Sequence, residues 1–173
     1  MQKKSETKTA LLRKYPEQVV LVTTRGTKGN TNIMAVGWTG IASGDPLMFM
    51  LGIDDEAYTY HLINETREFV VAFPNETMGN QVRFVGSCHG QDRDKIAEAK
   101  LAIQEAQQVK APLIADAVAN FECLLVDIFK PGDCPLIIGK VVAAHENADG
   151  AVKRLYTVGK DHLMGGVKVV VGK

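Results

Sequence analysis

The sequence predicts a mainly β protein, an antiparallel barrel into which helices are inserted singly. Three observations point there. Short apolar or β-branched runs are separated by clusters of Gly, Pro, Asn and Asp, the pattern of strands joined by tight turns. Helical spacing occurs in isolated stretches rather than after every strand, which argues against a doubly wound parallel sheet. No GxGxxG opens a helix after a strand and no GxxxxGK(S/T) occurs, so the usual nucleotide cradles are absent.

Residues 1–14 read as a polar arm with a short helix in ALLRK, ahead of Tyr15 and Pro16. QVVLVTTR, from Gln18, is a strand. The Gly26–Asn30 turn cluster connects it to TNIMAVGW, and so short a connection fits an antiparallel hairpin. The stretch from Asn30 to Ile53 reads as two strands joined by Gly44-Asp45-Pro46. Asp54 or Asp55 is expected to cap a helix through EAYTYHLINE, where Tyr58 and Leu62, and Thr59 and Ile63, lie four apart. REFVVAFP is a strand stopped by Pro74. Asn75 can cap the helix in which Met78, Val82 and Val85 recur at helical spacing, and Asp92 the helix in RDKIAEAK. KAPLIADA is irregular. Two longer strands follow, ANFECLLVDIFK and CPLIIGKVVAAHE, separated by Pro131-Gly132-Asp133; the tail holds a turn at Asn147–Gly150 and ends in VKVVV.

A length of 173 residues predicts one domain with a core of its own, and 46% apolar with 23% charged residues is globular composition. No apolar run approaches the ~20 residues of a membrane span. The N-terminus is polar and lacks a secretory h-region, so a soluble, cytoplasmic protein is expected. Twenty Lys and Arg balance twenty Asp and Glu. Nucleic-acid binding would show a basic excess, so neither nucleic acid nor membrane is an expected partner. Cys88, Cys123 and Cys134 are odd in number and contain no CxxC, which argues for reduced thiols over a disulfide or zinc framework.

The stretch around the single tryptophan, Trp38, is the most distinctive. Ala35, Gly37, Thr39, Gly40, Ala42, Ser43 and Gly44 leave the backbone approachable, because small side chains do not shield the peptide groups. A flat ligand or another strand can lie there. Taken alone, Trp38 reads more often as a packed aromatic than as a ligand contact.

In order and spacing, YPEQVVLVTTRG, TNIMAVGWTGIASGDPLMFMLGI, TYHLINETREFVVAFP, GQDRDKI, KAPLIADAVANFECLLVDI and IIGKVVAAH together resemble the flavin reductase-like family, including the flavoredoxins. The family pattern has Ser-Gly where this chain has His89-Gly90, an aromatic where it has Ile96, and often Pro-Pro where it has Asp45-Pro46. The resemblance implies an FMN-binding split barrel, Greek-key-like and antiparallel. It also implies a homodimer with one FMN per subunit, taking electrons from NADH, NADPH or a redox partner protein, or serving a monooxygenase. By resemblance, Met34, Ala35, Val36, Gly37, Trp38 and Thr39 line the flavin ring with Gly52. Tyr58, Thr59, His89 and Lys95, at two helix starts, hold the phosphate, helix N-termini being suited to anions.

No paired carboxylates, nucleophile elbow or HExxH occurs, which suits a protein whose cofactor carries the chemistry. Other readings stay open on the residues alone. They are a non-catalytic FMN-binding or flavin-storage protein, a redox or metal protein built on Cys88, His89 and Cys134, and a barrel that only mediates association.

Overall fold

In the computed structural model, which describes residues 1–168 and 170, the elements follow in this order. They are α1 (Thr7–Leu11), β1 (Glu17–Gln18), β2 (Val20–Arg25), β3 (Thr31–Val36), β4 (Thr39–Gly44), β5 (Leu47–Gly52), α2 (Tyr58–Thr66) and β6 (Glu68–Phe73). A 3₁₀ turn at Glu76–Met78 leads to α3 (Gly79–Gly86), α4 (Lys95–Glu98), β7 (Ile103–Gln104), β8 (Leu113–Ile114), β9 (Ala119–Phe129), β10 (Leu136–Glu146), β11 (Tyr156–Gly159) and β12 (Leu163–Gly165). Of the terminal VKVVV run, residues 169 and 171 lie outside the described residues.

The predicted antiparallel split barrel is what forms. Seven strands pair in the order β3-β2-β6-β9-β10-β5-β4, every pairing antiparallel. The chain passes from β5 to β6 over β9 and β10, the Greek-key-like connection. β2 lies inside the sheet with Val20 to Thr24 wholly buried, which explains why its sequence is apolar without alternation. Val20, Val22, Leu51, Phe69 and Ile137 fill one core, while Leu21 and Ile33 face the other way against Val82 and Val85 of α3 and Ile96 of α4. Among the described residues no helix is long and apolar enough to cross a membrane.

The stretch expected as two strands is three. β3 and β4, joined only by Gly37 and Trp38, sit at opposite edges of the sheet, so the run TNIMAVGWTG breaks at the seam where the barrel is split. α2 starts later than the Asp54 or Asp55 cap predicts. Asp54 is spent on a turn, its Oδ1 accepting from the Glu56 N–H at 2.9 Å and its carbonyl from Ala57 N–H, and the helix begins at Tyr58 with no side-chain cap. Asn75 accepts from Thr77 N–H at 2.7 Å and starts the 3₁₀ turn that feeds α3. Asp94, not Asp92, caps α4, which is a single turn. β1, β11 and β12 form a small sheet of their own.

Gly139 of β10 shows how tightly the barrel closes. A Cβ there would overlap the Phe69 ring, meeting Cε1 at 3.0 Å and Cε2 at 3.1 Å, and Phe69 is fully buried. Gly139→Ala is therefore expected to destabilise the fold by about 1–3 kcal/mol through overpacking, read as a lower urea midpoint at unchanged slope.

Candidate functional site

The seam creates the site. β3 pairs with β2 alone, so the other edge of Met34 to Val36 has no ladder partner, and backbone N–H and C=O groups there are available to a ligand. A groove of about 840 Å³ runs along it, lined by Met34, Ala35, Val36, Gly37, Trp38, Gly52, Arg83 and Cys134 among others. A second hollow of about 570 Å³ shares Met34 and Ala35 with the first and holds Asn32, Tyr58, Thr59, His89 and Lys95. The two adjoin as halves of one cleft, and each is within the size range of small-molecule and cofactor sites.

Ten of the eleven residues expected at the site line this cleft. The exception is Thr39, which lies in a neighbouring depression with Pro16, Met50 and Leu136. Its N–H is turned back to the Gly37 carbonyl at 3.1 Å, where β4 begins. Val36 is 3% exposed and serves chiefly as buried body. Trp38 is 59% exposed, which excludes a core role. Its Cβ and Cε3 pack over Gly52, where an added Cβ would meet them at 3.0 and 3.2 Å, so Gly52 is small because the indole covers it.

The inner half has the chemistry of an anion site. α2 presents the N–H groups of its first turn with no side-chain cap, leaving donors and the positive end of the helix dipole toward Thr59 and Tyr58. The single turn α4, whose start was also expected to supply donors, has Asp94 Oδ1 on Ala97 N–H instead. Its contribution is Lys95, which is 5% exposed and reaches back to the end of α3, donating to the carbonyls of Val85 at 3.0 Å and Cys88 at 3.2 Å. No carboxylate pairs with it among the described residues. Burial pulls the amine below its usual pKa, with proximity to Cys88 opposing, and an anion in the cleft would reverse that. His89 is exposed at the rim, and Asp54, Glu56 and Asp92 also border the hollow.

Asn32 is the residue the sequence reading missed. It is 3% exposed, donates from Nδ2 to Thr59 Oγ1 at 2.9 Å, and leaves Oδ1 buried with no hydrogen-bond partner. A buried orphan acceptor lining a cleft is suited to a hydroxyl of a ligand. Gly90 makes room for it, since a Cβ there would overlap Oδ1 and come within 2.9 Å of Asn32 Cγ. The available signal was an Asn inside a predicted strand, a residue that strands disfavour.

The structure separates the cysteines. Cys88 lines the inner half and Cys134 the outer, Cys123 is inside the barrel, and all three are free. No group of three potential metal ligands exists among the described residues. Burial pushes the Cys123 thiol up to about 12, and burial together with Asp133, Asp54 and Asp55 raises that of Cys134. Neither has the character of a reactive thiolate.

Residues 12–162 match the flavin reductase like domain family. An uncharacterized protein of Pyrococcus abyssi is 33% identical over 129 residues, covering 75% of this chain and 73% of that protein. Among solved structures, an FMN-binding protein from Thermus thermophilus, crystallised with bound 1-cyclohex-2-enone, superposes with a TM-score of 0.84 at 23% identity over 100% of this chain and 99% of the other. The flavoredoxin of Desulfovibrio vulgaris (Miyazaki F) gives a TM-score of 0.84 at 22% identity, covering 100% and 97%. At that identity, the likeness is one of fold.

Proposed function

The chain belongs to the flavin reductase-like domain family, and on that premise we propose that it binds FMN and works as a flavin reductase or a flavoredoxin-like electron carrier. One observation carries this reading: a single cleft joins the open edge of β3 beside Trp38 to the uncapped start of α2 and to a buried Lys95 that pairs with no carboxylate among the described residues. That is the polarity of a flavin mononucleotide, a flat ring at one end and a phosphate at the other. The two structural relatives named above, an FMN-binding protein and a flavoredoxin, support it.

The residues divide the work by chemistry. Bound FMN would supply hydride or single-electron transfer. Met34 and Trp38 give apolar surface for the ring, while the unpaired backbone edge from Met34 to Gly37 offers donors and acceptors to its pyrimidine side. Asn32 Oδ1 accepts from a ribityl hydroxyl and is held for it by Thr59. Lys95, the first-turn N–H groups of α2 and His89 hold the phosphate, Lys95 through a charge-assisted bond. Arg83 and Cys134 line the same outer half, through which NADH, NADPH or another electron donor would reach the ring.

Two tests follow. Gly90→Ala forces Asn32 off Thr59 and is expected to weaken FMN about tenfold, a loss of one hydrogen bond's worth of affinity, measured by flavin fluorescence titration. In an anaerobic stopped-flow trace, NADH or NADPH should bleach the flavin absorbance of the loaded protein. A protein that holds FMN but is bleached by neither is a carrier fed by another redox protein or a storage protein.

The same reading includes a homodimer. Leu124 and Val126 on β9 and Val142 on the neighbouring β10 are exposed, and apolar side chains left on a sheet surface are suited to association. Sedimentation velocity is expected to give twice the chain mass.

A further inference from the structure

The polar residues of the inner half are sorted by depth. Asn32, Thr59 and Lys95 are buried and form its floor, whereas Asp54, Glu56, His89 and Asp92 are exposed and form its rim. The floor holds a cation and the orphan acceptor Asn32 Oδ1. The rim is carboxylate. Among the described residues that line this hollow, Lys95 and His89 are the basic side chains, and no cation pairs with Glu56 or Asp92. Arg93, next to Asp92 in the chain, is committed to Glu98, with Nε donating to Oε1 at 3.0 Å and Nη2 to Oε2. Asp54 is fixed in place by the Glu56 N–H at 2.9 Å.

This order of charges treats two kinds of phosphate differently. A phosphate monoester carries about two negative charges near neutral pH, and at the floor both meet Lys95 and the first-turn N–H groups of α2. In a diphosphate the inner phosphorus keeps a single charge, which weakens its bond to Lys95. The second charge is carried outward, past Asp54, Glu56 and Asp92, where no free cation of the described residues receives it. Exposed carboxylates act through water, but a phosphate leaving the hollow passes them well within a Debye length.

We propose that this carboxylate rim makes the site select a flavin that ends in a phosphate monoester and reject one extended through a diphosphate, with Glu56 and Asp92 setting the preference. The inference rests on the flavin reading and adds to it the exclusion of FAD.

The test is calorimetric titration of the whole chain with FMN and with FAD in about 20 mM salt. The variants are Glu56→Gln/Asp92→Asn and the charge-reversed Glu56→Lys/Asp92→Lys. Asp54 is left in place because it holds a turn. The unmodified chain is expected to prefer FMN at least tenfold, the first variant to lower that preference, and the charge-reversed variant to lower it at least threefold. FMN itself should bind no more weakly to either variant than to the unmodified chain, which also reports that the floor is intact. A preference below tenfold in the unmodified chain overturns the proposal. So does a preference that falls by less than threefold on charge reversal, the result expected if shape alone turned FAD away, or a loss of FMN in both variants at an unchanged urea midpoint. The two readings fail differently: FMN and FAD bound alike condemns only the rim, whereas an unmodified chain that takes up no FMN removes the flavin reading and the rim's role with it.

Discussion

Lys95→Met is expected to lower FMN affinity about 100-fold while leaving riboflavin within about threefold, because the lost group is a charge-assisted donor to a phosphate that riboflavin lacks. The comparison is internal to one variant. Lys95 also holds the Val85 and Cys88 carbonyls, so its replacement loosens the end of α3, and any general damage to the cleft falls on both ligands alike. Equal losses for FMN and riboflavin would remove Lys95 from the phosphate. The sign of the pH effect follows from burial, which lowers the pKa of the free amine. Bound phosphate restores the charge and raises that pKa, so binding takes up a proton. FMN affinity is therefore full at pH values below the depressed pKa and falls as pH rises through it, and riboflavin affinity does not follow.

Glu122→Gln should cost about 3 kcal/mol of stability, among the largest single effects in the chain. The Glu122 side chain is wholly buried, and its two oxygens accept from the N–H groups of Gln107 at 2.9 Å, Gln108 at 2.6 Å and Val109 at 3.0 Å, and from His145 Nε2 at 2.6 Å. An amide keeps one acceptor and turns an NH₂ toward donors that already point inward. Burial pushes the carboxyl pKa up, but these hydrogen bonds together hold it below its usual value. A carboxyl with a depressed folded pKa stabilises the fold at pH values above its unfolded pKa of about 4.3, and that contribution disappears as pH falls through the folded pKa. Urea melts of the two proteins should therefore differ most near neutral pH and converge in acid. A constant gap down to the acid limit would contradict the assignment.

Much of the barrel was legible because its strands are long and bounded. QVVLVTTR and REFVVAFP end at turn residues, and ANFECLLVDIFK and CPLIIGKVVAAHE are separated by Pro131-Gly132-Asp133. The seam at Gly37 and Trp38 was not legible, since a chain that crosses from one sheet edge to the other keeps its extended conformation and its composition. The short strands β7, β11 and β12 escaped for a different reason: two to four residues are too few to show a period. Helix starts failed for two reasons: Asp54 is spent on a turn of its own and α2 begins without a side-chain cap, while Asp92 and Asp94 are equivalent caps in sequence and only the local turn selects between them.

At the cleft, motif order brought forward Met34 to Trp38, Gly52, Tyr58, Thr59, His89 and Lys95, which line one space. Asn32 and Gly90 depend on a contact between residues 58 positions apart, Gly90 having no side chain because Asn32 Oδ1 occupies its place. No local pattern announces such a pair.

The central claim is that this cleft holds FMN by its phosphate and its ring together, and the most direct test is titration of the protein with FMN and with riboflavin, followed by flavin fluorescence. The account predicts saturation at one FMN per chain, with riboflavin binding markedly more weakly. A protein that leaves FMN fluorescence and absorbance unchanged, or that binds the two flavins equally, would contradict it.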